Sequence, residues 1–407
     1  MNIVKLSVKQ LAARPLTTAL NILLLAIGIG TVAVLMLFNA QLQDKLLATG
    51  KNVDLVVGAK GSPLQLILAT VYHVDVPPGN IPLSEAKRIA KMRFVKNTIP
   101  LALGDNLLGH RIVGTTPDYM ALYGGKLEEG RMWKVSMEAV LGSNVAKLSK
   151  LKLGELFAGS HGLAAGGELH DDNKYQVVGI MAPTGTVLDD LVLTNLQSVW
   201  DLHEGEKTTN QLYANGASKP ASVEDDEPRE VTALLVQYST PLAVLALPRQ
   251  INANTNLQAA SPALESARLL SIVGFGLDAF RAFAGILIVS AGLSVFVALY
   301  TALKERRFDL AVMRMLGSSR LRLCSAVLLE GLLLAVGAAA FGLAAAHGVA
   351  EWAGRVQLAH GLPLTGWYWV KDEGWLVLLA VGVGLVASLL PAIQAYRTDI
   401  GTVLAER

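Results

Sequence analysis

The chain has 407 residues, of which 52% are hydrophobic and 17% are charged, compared with about 25% charged residues in a typical soluble domain. This composition excludes a purely cytosolic enzyme, and a formal net charge of +2 gives no reason to expect a nucleic-acid partner. The single cysteine, Cys324, excludes an intrachain disulfide and a cysteine-rich metal site. We therefore expect a membrane protein with a large aqueous part.

Four apolar stretches of the sequence are long enough to cross a bilayer, which takes about 20 helical residues. The first has a longer apolar core than a signal peptide and no clear cleavage site, so we interpret it as an uncleaved anchor. Basic residues are concentrated before the first stretch and between the second and the third, which predicts that both termini and that loop are cytoplasmic. The predicted transmembrane helices are 16–43, 282–303, 323–350 and 375–396.

The segments between these spans follow from the same pattern. Apolar residues recur with a period near 3.6 from Pro262 to Phe280, which predicts a stalk helix that continues into the second span. The predicted segments are a cytoplasmic interfacial helix at 1–15, a periplasmic α+β domain at 44–262, the stalk helix at 263–281, a cytoplasmic coupling loop or helix at 304–322, a periplasmic loop at 351–374 and a cytoplasmic tail at 397–407.

The predicted periplasmic domain alternates short apolar runs with turns. Short runs bounded by turn residues predict strands, and patches with a helical period predict helices. The polar composition of 205–230 predicts a loop or a subdomain boundary. The predicted strands are 54–58, 110–114, 175–180 and 231–238, and the predicted helices are 83–92 and 139–148.

The sequence lacks the motifs of common catalytic and nucleotide-binding sites. There is no GxxxxGK[ST], HExxH or GxSxG, so no catalytic residue is predicted and the chain is not expected to bind ATP. With the third apolar stretch counted from Gly331 to Ala350, His347 is the one ionisable residue within the four stretches, which argues against an ion-coupled carrier. No metal site is predicted, because a solvated polar loop is the favoured interpretation of the zinc-ligand residue types within 161–172. Those residues are His161, Glu168, His170, Asp171 and Asp172.

The most specific pattern lies in the loop between the second and the third span. It reads Lys304-Glu-Arg-Arg-Phe-Asp-Leu-Ala-Val-Met-Arg-Met-Leu-Gly-Ser-Ser-Arg, and Glu330 follows at the start of the third span. A short amphipathic helix here would present Leu310, Met313 and Leu316 to a partner within a rim of arginines, as helices do that dock in a groove. The alternative is a basic loop that only fixes the topology.

This pattern resembles the signature of the MacB/FtsX-type permeases, the type VII ABC transporters, although Asp309 stands where that family usually has Glu. The segment from Gly114 to Tyr119, with Gly130-Arg131, is similar to the family's porter subdomain, and Pro391 to Leu404 is similar to its closing segment. The resemblance covers nearly the whole chain. It implies a membrane protein with four transmembrane α-helices and a large α+β extracytoplasmic domain, porter-like with a smaller β-rich subdomain, between helices 1 and 2.

The resemblance also implies a function, that of an ABC transporter permease subunit without ATPase activity. A separate cytoplasmic ABC ATPase dimer would bind ATP and Mg²⁺, this chain would hold no cofactor, and a second permease copy would complete the complex, more plausibly as a homodimer than as a heterodimer. The expected location is the bacterial inner membrane. The expected activity is mechanotransmission for efflux of a periplasmic substrate or for lipoprotein extraction, with a periplasmic adaptor or a lipoprotein as a further partner. The residues expected to couple to the ATPase are Arg306, Arg307, Asp309, Leu310, Met313, Arg314, Leu316, Gly317 and Ser318.

Two other functions stay open at this point. The main alternative is an FtsX-like transmembrane regulator that activates a periplasmic cell-wall hydrolase. The long outer segment favours the transporter, because FtsX-type regulators carry a smaller one. A third hypothesis is a sensor on the outer surface that binds a metal ion at 161–172.

Overall fold

The computed structural model describes residues 3–161, 169–202, 229–356 and 364–397, the side chains of 161 and 169–173 excepted. Two compact units make up the chain. The first, which we call the membrane unit, consists of Met1–Leu42, Ile272–Leu358 and Leu362–Arg407. The second, which we call the α+β unit, is formed by Gln43–Ser271.

The helices and strands follow one another along the described chain with a long helix before the strands and four helices after them. In chain order they are α1 (Ile3–Ala12), α2 (Pro15–Gly50), β1 (Leu55–Ala59), α3 (Pro63–Thr70), β2 (Ile81–Pro82), α4 (Leu83–Ala90), β3 (Val95–Leu107), β4 (His110–Thr115), α5 (Asp118–Leu122), β5 (Leu127–Gly130), β6 (Glu138–Leu141), α6 (Ser143–Ser149), β7 (Leu156–His161), β8 (Leu169–Met181), β9 (Val192–Asn195), β10 (Glu230–Val231), β11 (Ala233–Tyr238), α7 (Ala243–Asn254), β12 (Leu257–Ala260), α8 (Pro262–Glu305), α9 (Arg307–Met315), α10 (Arg320–Val356) and α11 (Glu373–Arg397).

Within the described ranges, four helices are long and apolar enough to cross a membrane: α2, α8, α10 and α11. They contain 36, 44, 37 and 25 residues, and since a helix rises about 1.5 Å per residue, the first three are longer than the roughly 30 Å of hydrocarbon requires. The helix α8 runs unbroken through the predicted stalk into the predicted second span. The architecture agrees with the predicted fold class of four transmembrane helices and an α+β region between the first and the second.

Small residues bring the helices of the membrane unit into close contact. A Cβ added at Gly342 on α10 would lie 2.7 Å from the carbonyl oxygen of Ala26 on α2, and one added at Gly30 would lie 3.0 Å from the carbonyl oxygen of Gly342. On the other face of α10, a Cβ at Gly331 would lie 2.6 Å from the Cβ of Ser388 on α11. These glycines allow the backbones to approach closely, as is common between membrane helices.

The strands of the α+β unit form one long sheet, ten-stranded over the described residues, in the order β12-β1-β11-β3-β4-β9-β6-β8-β5, with β7 on β3 and β8. The long strand β3 joins its two halves, because its first part pairs with β11 and its second part with β4. The pairs β4–β9 and β6–β8 are parallel. A separate short ladder pairs β2 with β10.

One predicted helix is wrong in its first residues. Residues 139–148 were expected to be helical, but Glu138–Leu141 forms the strand β6 and the helix α6 begins only at Ser143. All four residues of β6 are buried between β8 and β9, and a short, fully buried apolar run has no periodicity that separates strand from helix. The predicted strands 54–58, 110–114, 175–180 and 231–238 and the predicted helix 83–92 are confirmed. Most of the polar segment 205–230 lies outside the described residues.

The Gly130-Arg131 pair fixes the edge strand β5 to the rest of the sheet. Gly130 has a φ of +79°, and a Cβ there would overlap the carbonyl oxygen of Val178. Arg131 donates to both carboxylate oxygens of Glu138, at 2.8 and 2.5 Å. This hydrogen-bonded pair, with the backbone N–H of Lys134, lowers the pKa of Glu138 to about 2. The two residues that support the resemblance here therefore have a structural role.

Candidate functional site

The candidate site is built around α9 in the membrane unit. The long helix α8 ends at Glu305, Arg306 has a non-helical backbone, and α9 begins at Arg307. Leu310 is only 6% exposed and packs with Leu303 and Leu323 in a cluster that includes residues from α8, α10 and α11. Met313 packs partly buried against the same cluster. One face of α9 is therefore joined to the ends of the membrane helices.

This packing corrects part of the prediction. Leu310 and Met313 were expected to face a partner, but they face the chain's own helices. The physical reason is their spacing of three residues, which puts them on one side of α9, and that side covers apolar residues such as Ala392 and Ala395 near the end of α11. The sequence of the loop alone carries no information about the end of α11, which is about 80 residues further along the chain.

The exposed apolar part of α9 is its C-terminal end. Leu316 is 82% exposed, and Met315 beside it is also exposed. Gly317 closes the helix with a φ of +93° and donates its N–H to the carbonyl oxygen of Arg314 at 3.0 Å, while the N–H of Ser318 donates to the carbonyl oxygen of Met313 at 3.0 Å. These two bonds form a Schellman motif, in which glycine is favoured because the left-handed conformation carries no Cβ penalty. The turn holds Leu316 out as the tip of α9.

Charged residues lie along α9 and just after it. Arg307 and Asp309 in its first turn and Arg320 after its end are exposed, and Arg314 in its last turn is partly buried. An apolar side chain within a polar and basic rim is the arrangement found at the centre of many protein interfaces. In the structure Arg307, Asp309, Leu316 and Gly317 are exposed and Arg314 and Ser318 are partly exposed, whereas Leu310 is buried and Met313 is partly buried against the membrane helices.

Arg306 has a different role from the other arginines. It donates Nη2 to the carbonyl oxygen of Gln10 in α1 at 3.3 Å, and its Nη1 lies 3.9 Å from Oε1 of the buried Glu330 on α10. Nearby, Arg14 forms an ion pair with Glu305. In the sequence, Glu330 stands out only as part of the motif. It is, however, an isolated acid at the start of an apolar span, and because such groups are usually paired, this position indicates a partner such as Arg306.

The helix α1 is also tied to this region. Ser7 is fully buried and donates Oγ to the carbonyl oxygen of Ala326 on α10 at 3.1 Å. Thr18, in the first turn of α2, donates Oγ1 to the carbonyl oxygen of Leu11 at 2.9 Å. Together with Arg306, these contacts join α1, α2, α8 and α10 around the base of α9.

The zinc-ligand residue types of the sequence cannot be placed. The side chains of His161, Glu168, His170, Asp171 and Asp172 lie outside the described residues. Within the described residues, no group of three or more His, Cys, Asp or Glu side chains could hold a metal ion. His73 is buried, and its Nε2 lies 2.9 Å from the hydroxyl of Tyr119. Burial, with the nearby charge of Arg111, lowers the pKa of His73 to about 3, so its ring is neutral.

Two family matches together cover most of the chain. Residues 18–230 match the MacB-like periplasmic core domain, and residues 281–400 match the FtsX-like permease C-terminal domain. The chain belongs to the MacB/FtsX-like ABC transporter permeases. Membership of this family implies a cytoplasmic ATPase partner and, with the four apolar helices, a place in the bacterial inner membrane. The FtsX-like match contains all of α9, α10 and α11, and therefore the whole candidate site except α1 and the first residues of α2.

Solved structures with a similar outer region are also known. The periplasmic region of MacB from Actinobacillus actinomycetemcomitans is 12% identical, with 56% of this permease and 97% of that chain covered and a TM-score of 0.33. The extracellular domain of the noncanonic ABC-type transporter YknZ from Gram-positive bacteria is 11% identical, with 51% and 99% covered and a TM-score of 0.29. Comparison with curated proteins gives no match.

Proposed function

We propose that this permease couples ATP hydrolysis by a separate cytoplasmic ATPase to movement of its α+β unit in the periplasm. The movement would serve efflux of a periplasmic substrate or extraction of a lipoprotein. The observation that supports this proposal best is the construction of α9, which has one face packed on the membrane helices and an exposed apolar tip at Leu316. In this proposal the ATPase binds ATP and Mg²⁺, and the permease has no catalytic residue.

The two faces of α9 suit a coupling element. The tip would insert Leu316 into a groove of the ATPase, with Arg307, Asp309, Arg314 and Ser318 at the rim. The apolar contact would supply most of the affinity, because an exposed ion pair is typically worth about 0–1 kcal/mol. Leu310 and Met313 would then pass the displacement to the ends of α8, α10 and α11, on which they pack.

Arg306 and Gly317 are positioning residues in this proposal. Arg306 holds the break between α8 and α9 against α1 and Glu330, and Gly317 forms the turn that presents Leu316. Both termini and α9 would lie in the cytoplasm, as the basic flanks predict. An ATPase dimer offers two equivalent grooves, so we propose two permease copies in the complex, as a homodimer.

The test replaces the apolar tip by a charge. A carboxylate at Leu316 would be buried without a partner in the groove, which is costly. We expect Leu316→Asp to lose the ATPase that co-purifies with the tagged wild-type permease, at matched abundance in the membrane. The matched control is Leu242→Asp, the same change at a leucine that is 73% exposed in the α+β unit. Wild-type recovery of the ATPase with Leu316→Asp would reject α9 as the docking element.

The same purification addresses the alternatives. Besides the ATPase, co-purification of a periplasmic adaptor supports efflux, and co-purification of a lipoprotein-handling protein supports extraction. Recovery of a cell-wall hydrolase would instead support the regulator. Each outcome is read from the wild-type complex and is independent of the Leu316 variant.

A further inference from the structure

The second feature of interest lies in the α+β unit, where the C-terminal end of α2 and the N-terminal end of α8 meet at Tyr72. The hydroxyl of Tyr72 donates to the carbonyl oxygen of Leu46 on α2 at 3.2 Å and lies 2.5 Å from Oγ of Ser266 on α8. A Cβ added at Gly50, the last residue of α2, would lie 3.6 Å from this hydroxyl and 3.8 Å from Cβ of Pro262, the first residue of α8. One side chain thus contacts the ends of both helices.

The hydroxyl contacts form a connected chain. Ser266 is buried, and its Oγ lies 2.5 Å from the Tyr72 hydroxyl and 2.5 Å from the carbonyl oxygen of Pro262. Each hydroxyl has one proton to donate. Because Tyr72 donates its proton to Leu46, the Tyr72–Ser266 hydrogen bond is made by Ser266 donating to Tyr72. Burial raises the pKa of Tyr72, which keeps its proton on the hydroxyl at neutral pH. The chain therefore runs from the side chain of Ser266 on α8 through the hydroxyl of Tyr72 to the backbone of α2.

Tyr72 is held in place by the chain on either side of it. It follows α3, in which Leu66 and Ile67 are fully buried, and its N–H donates to the carbonyl oxygen of Ile67 at 3.3 Å. The next residue, His73, has a φ of +56°, and its ring is hydrogen-bonded to Tyr119 on α5. A left-handed conformation in a residue with a side chain carries strain, which persists where the surroundings fix it. The backbone around Tyr72 is therefore anchored to the core of the α+β unit.

A second contact ties the chain after α2 to the same core. The side-chain amide of Asn52 donates to the carbonyl oxygen of Leu122 at the end of α5, at 2.5 Å. The side-chain amide of Gln237 on β11 in turn donates to the carbonyl oxygen of Asn52 at 3.2 Å. The end of α2 is thus held by α3, α5 and β11, and Tyr72 links it to α8 within this unit.

We propose that Tyr72 is a positioning residue that clasps α2 and α8 together where both helices end in the α+β unit, so that the two move as one body when the ATPase acts. Each of these helices continues without a break into a predicted membrane span. The strand that follows α2 and the strand that precedes α8, β1 and β12, pair with each other in the sheet. Tyr72 adds a direct link between the helices themselves, at Leu46 and Ser266. With the clasp closed, a displacement of either span is passed to α3 and α5 and so to the core of the unit. The inference rests on the proposed function for the origin of the displacement, but not for the clasp itself.

The test measures the distance between the two helix ends in the full permease–ATPase complex in lipid nanodiscs. Spin labels are placed at the exposed positions Leu47 and Ala267, in a chain whose Cys324 is replaced by serine, and labelled chains are diluted with unlabelled ones so that distances within one chain dominate. Without nucleotide and after vanadate trapping, we expect the same single narrow distance in the wild type.

The variant Tyr72→Phe removes only the hydroxyl. Since a net hydrogen bond of about 1 kcal/mol corresponds to about a fivefold change in an equilibrium constant, we expect about a fivefold rise in the population with separated helix ends. We expect Ser266→Ala to have a similar effect, and the double variant to add little, because both break one chain of contacts. The matched control Tyr238→Phe removes a tyrosine hydroxyl elsewhere in the unit and should match the wild type.

The possible results distinguish a failure of the clasp from a loss of stability and from a failure of the proposed function. A narrow, unchanged distance in Tyr72→Phe, in both states, would overturn the clasp. If Tyr72→Phe is too unstable for the distance measurement, the milder variant Ser266→Ala tests the same chain of contacts by the same change in the population with separated helix ends. If no ATPase binds or vanadate changes nothing in any variant, the proposed function fails, while the nucleotide-free comparison of wild type and Tyr72→Phe still decides the clasp.

Discussion

The two ends of the membrane unit are built in opposite ways. At the end that carries α1 and α9, the apolar tip at Leu316 is left exposed. At the other end, the residues that lead into α11 are hydrogen-bonded to three helices. There the side chain of Gln41 on α2 pairs with the main chain of Thr365, accepting from its N–H at 2.8 Å and donating to its carbonyl oxygen at 3.0 Å. Glu351 on α10 accepts from the N–H of Gly366 at 3.1 Å.

His347 belongs to this second end. Its Nδ1 lies 2.6 Å from the carbonyl oxygen of Gly366, and its Nε2 lies 3.2 Å from Oε2 of Glu373. A carbonyl oxygen can only accept, so Nδ1 carries a proton. The other oxygen of Glu373 accepts from the N–H of Val370 at 3.1 Å. His347 therefore anchors the described residues that lead into α11.

The two ends differ in what holds their described residues. The hydrogen bonds of Gln41, His347 and Glu351 hold Thr365 and Gly366, in the described part of the connection between α10 and α11, from inside the chain. A single exposed leucine is ordinary on a protein surface. Leu316 differs because a dedicated turn presents it and because the face of the helix behind it is packed. We call the hydrogen-bonded end the rigid end. Under the proposed function the other end, with Leu316, is where the ATPase docks, and we call it the docking end.

The largest effect is expected at the rigid end. A Cβ added at Gly354 on α10 would overlap the carbonyl oxygen of Leu364, which is backbone and cannot rotate away. We expect Gly354→Ala to lower the free energy of unfolding by about 1–3 kcal/mol, the usual cost of overpacking. The measurement is the thermal unfolding of the purified permease in detergent.

The control for this variant lies on the same helix. A Cβ at Gly348 would meet no atom within 4 Å, and alanine is the better helix former by roughly 0.5–1 kcal/mol. We therefore expect Gly348→Ala to be neutral or slightly stabilising. Equal unfolding temperatures for the two variants would contradict the view that this end is tightly packed.

A smaller effect is expected at the base of the docking end. Arg306→Ala removes the hydrogen bond to Gln10 and the charge next to the buried carboxylate of Glu330. We expect a loss of about 1–2 kcal/mol in stability, less than for a fully buried pair because Arg306 is partly exposed. Arg307→Ala, one residue further along at an exposed position, should change stability by less than about 0.5 kcal/mol. A larger loss of stability in Arg307→Ala than in Arg306→Ala, measured by thermal unfolding, would show that Arg306 does not hold the break between α8 and α9.

The sequence predicts the two ends unequally well. The spans and the basic loop follow from composition, since an apolar stretch of about 20 residues and its basic flanks are local features. The pairing of Gln41 with Thr365 joins residues 324 positions apart, and no local pattern indicates it. The same holds for Leu310, whose burial depends on the end of α11. It also holds for β6, which is a strand because β8 and β9 lie beside it.

The smallest effect concerns Gly317, and it distinguishes two reasons for a glycine at the tip. The sequence suggests that glycine allows close approach of a partner, in which case any larger side chain is harmful and asparagine, being larger, is worse than alanine. The structure gives another reason, a φ of +93° in the turn, with no atom within 4 Å of an added Cβ. Asparagine tolerates this conformation better than alanine does.

If the backbone conformation decides, Gly317→Ala should weaken ATPase binding by about fivefold, which corresponds to the roughly 1 kcal/mol cost of a left-handed alanine. Gly317→Asn should then weaken it by less. The affinities are measured by titrating the purified ATPase onto each permease variant in nanodiscs, with the Leu242→Asp variant as the reference for nonspecific effects. Weaker binding by Gly317→Asn than by Gly317→Ala would favour close approach of the ATPase backbone instead. It would mean that the surface at the docking end extends from Leu316 over the turn itself.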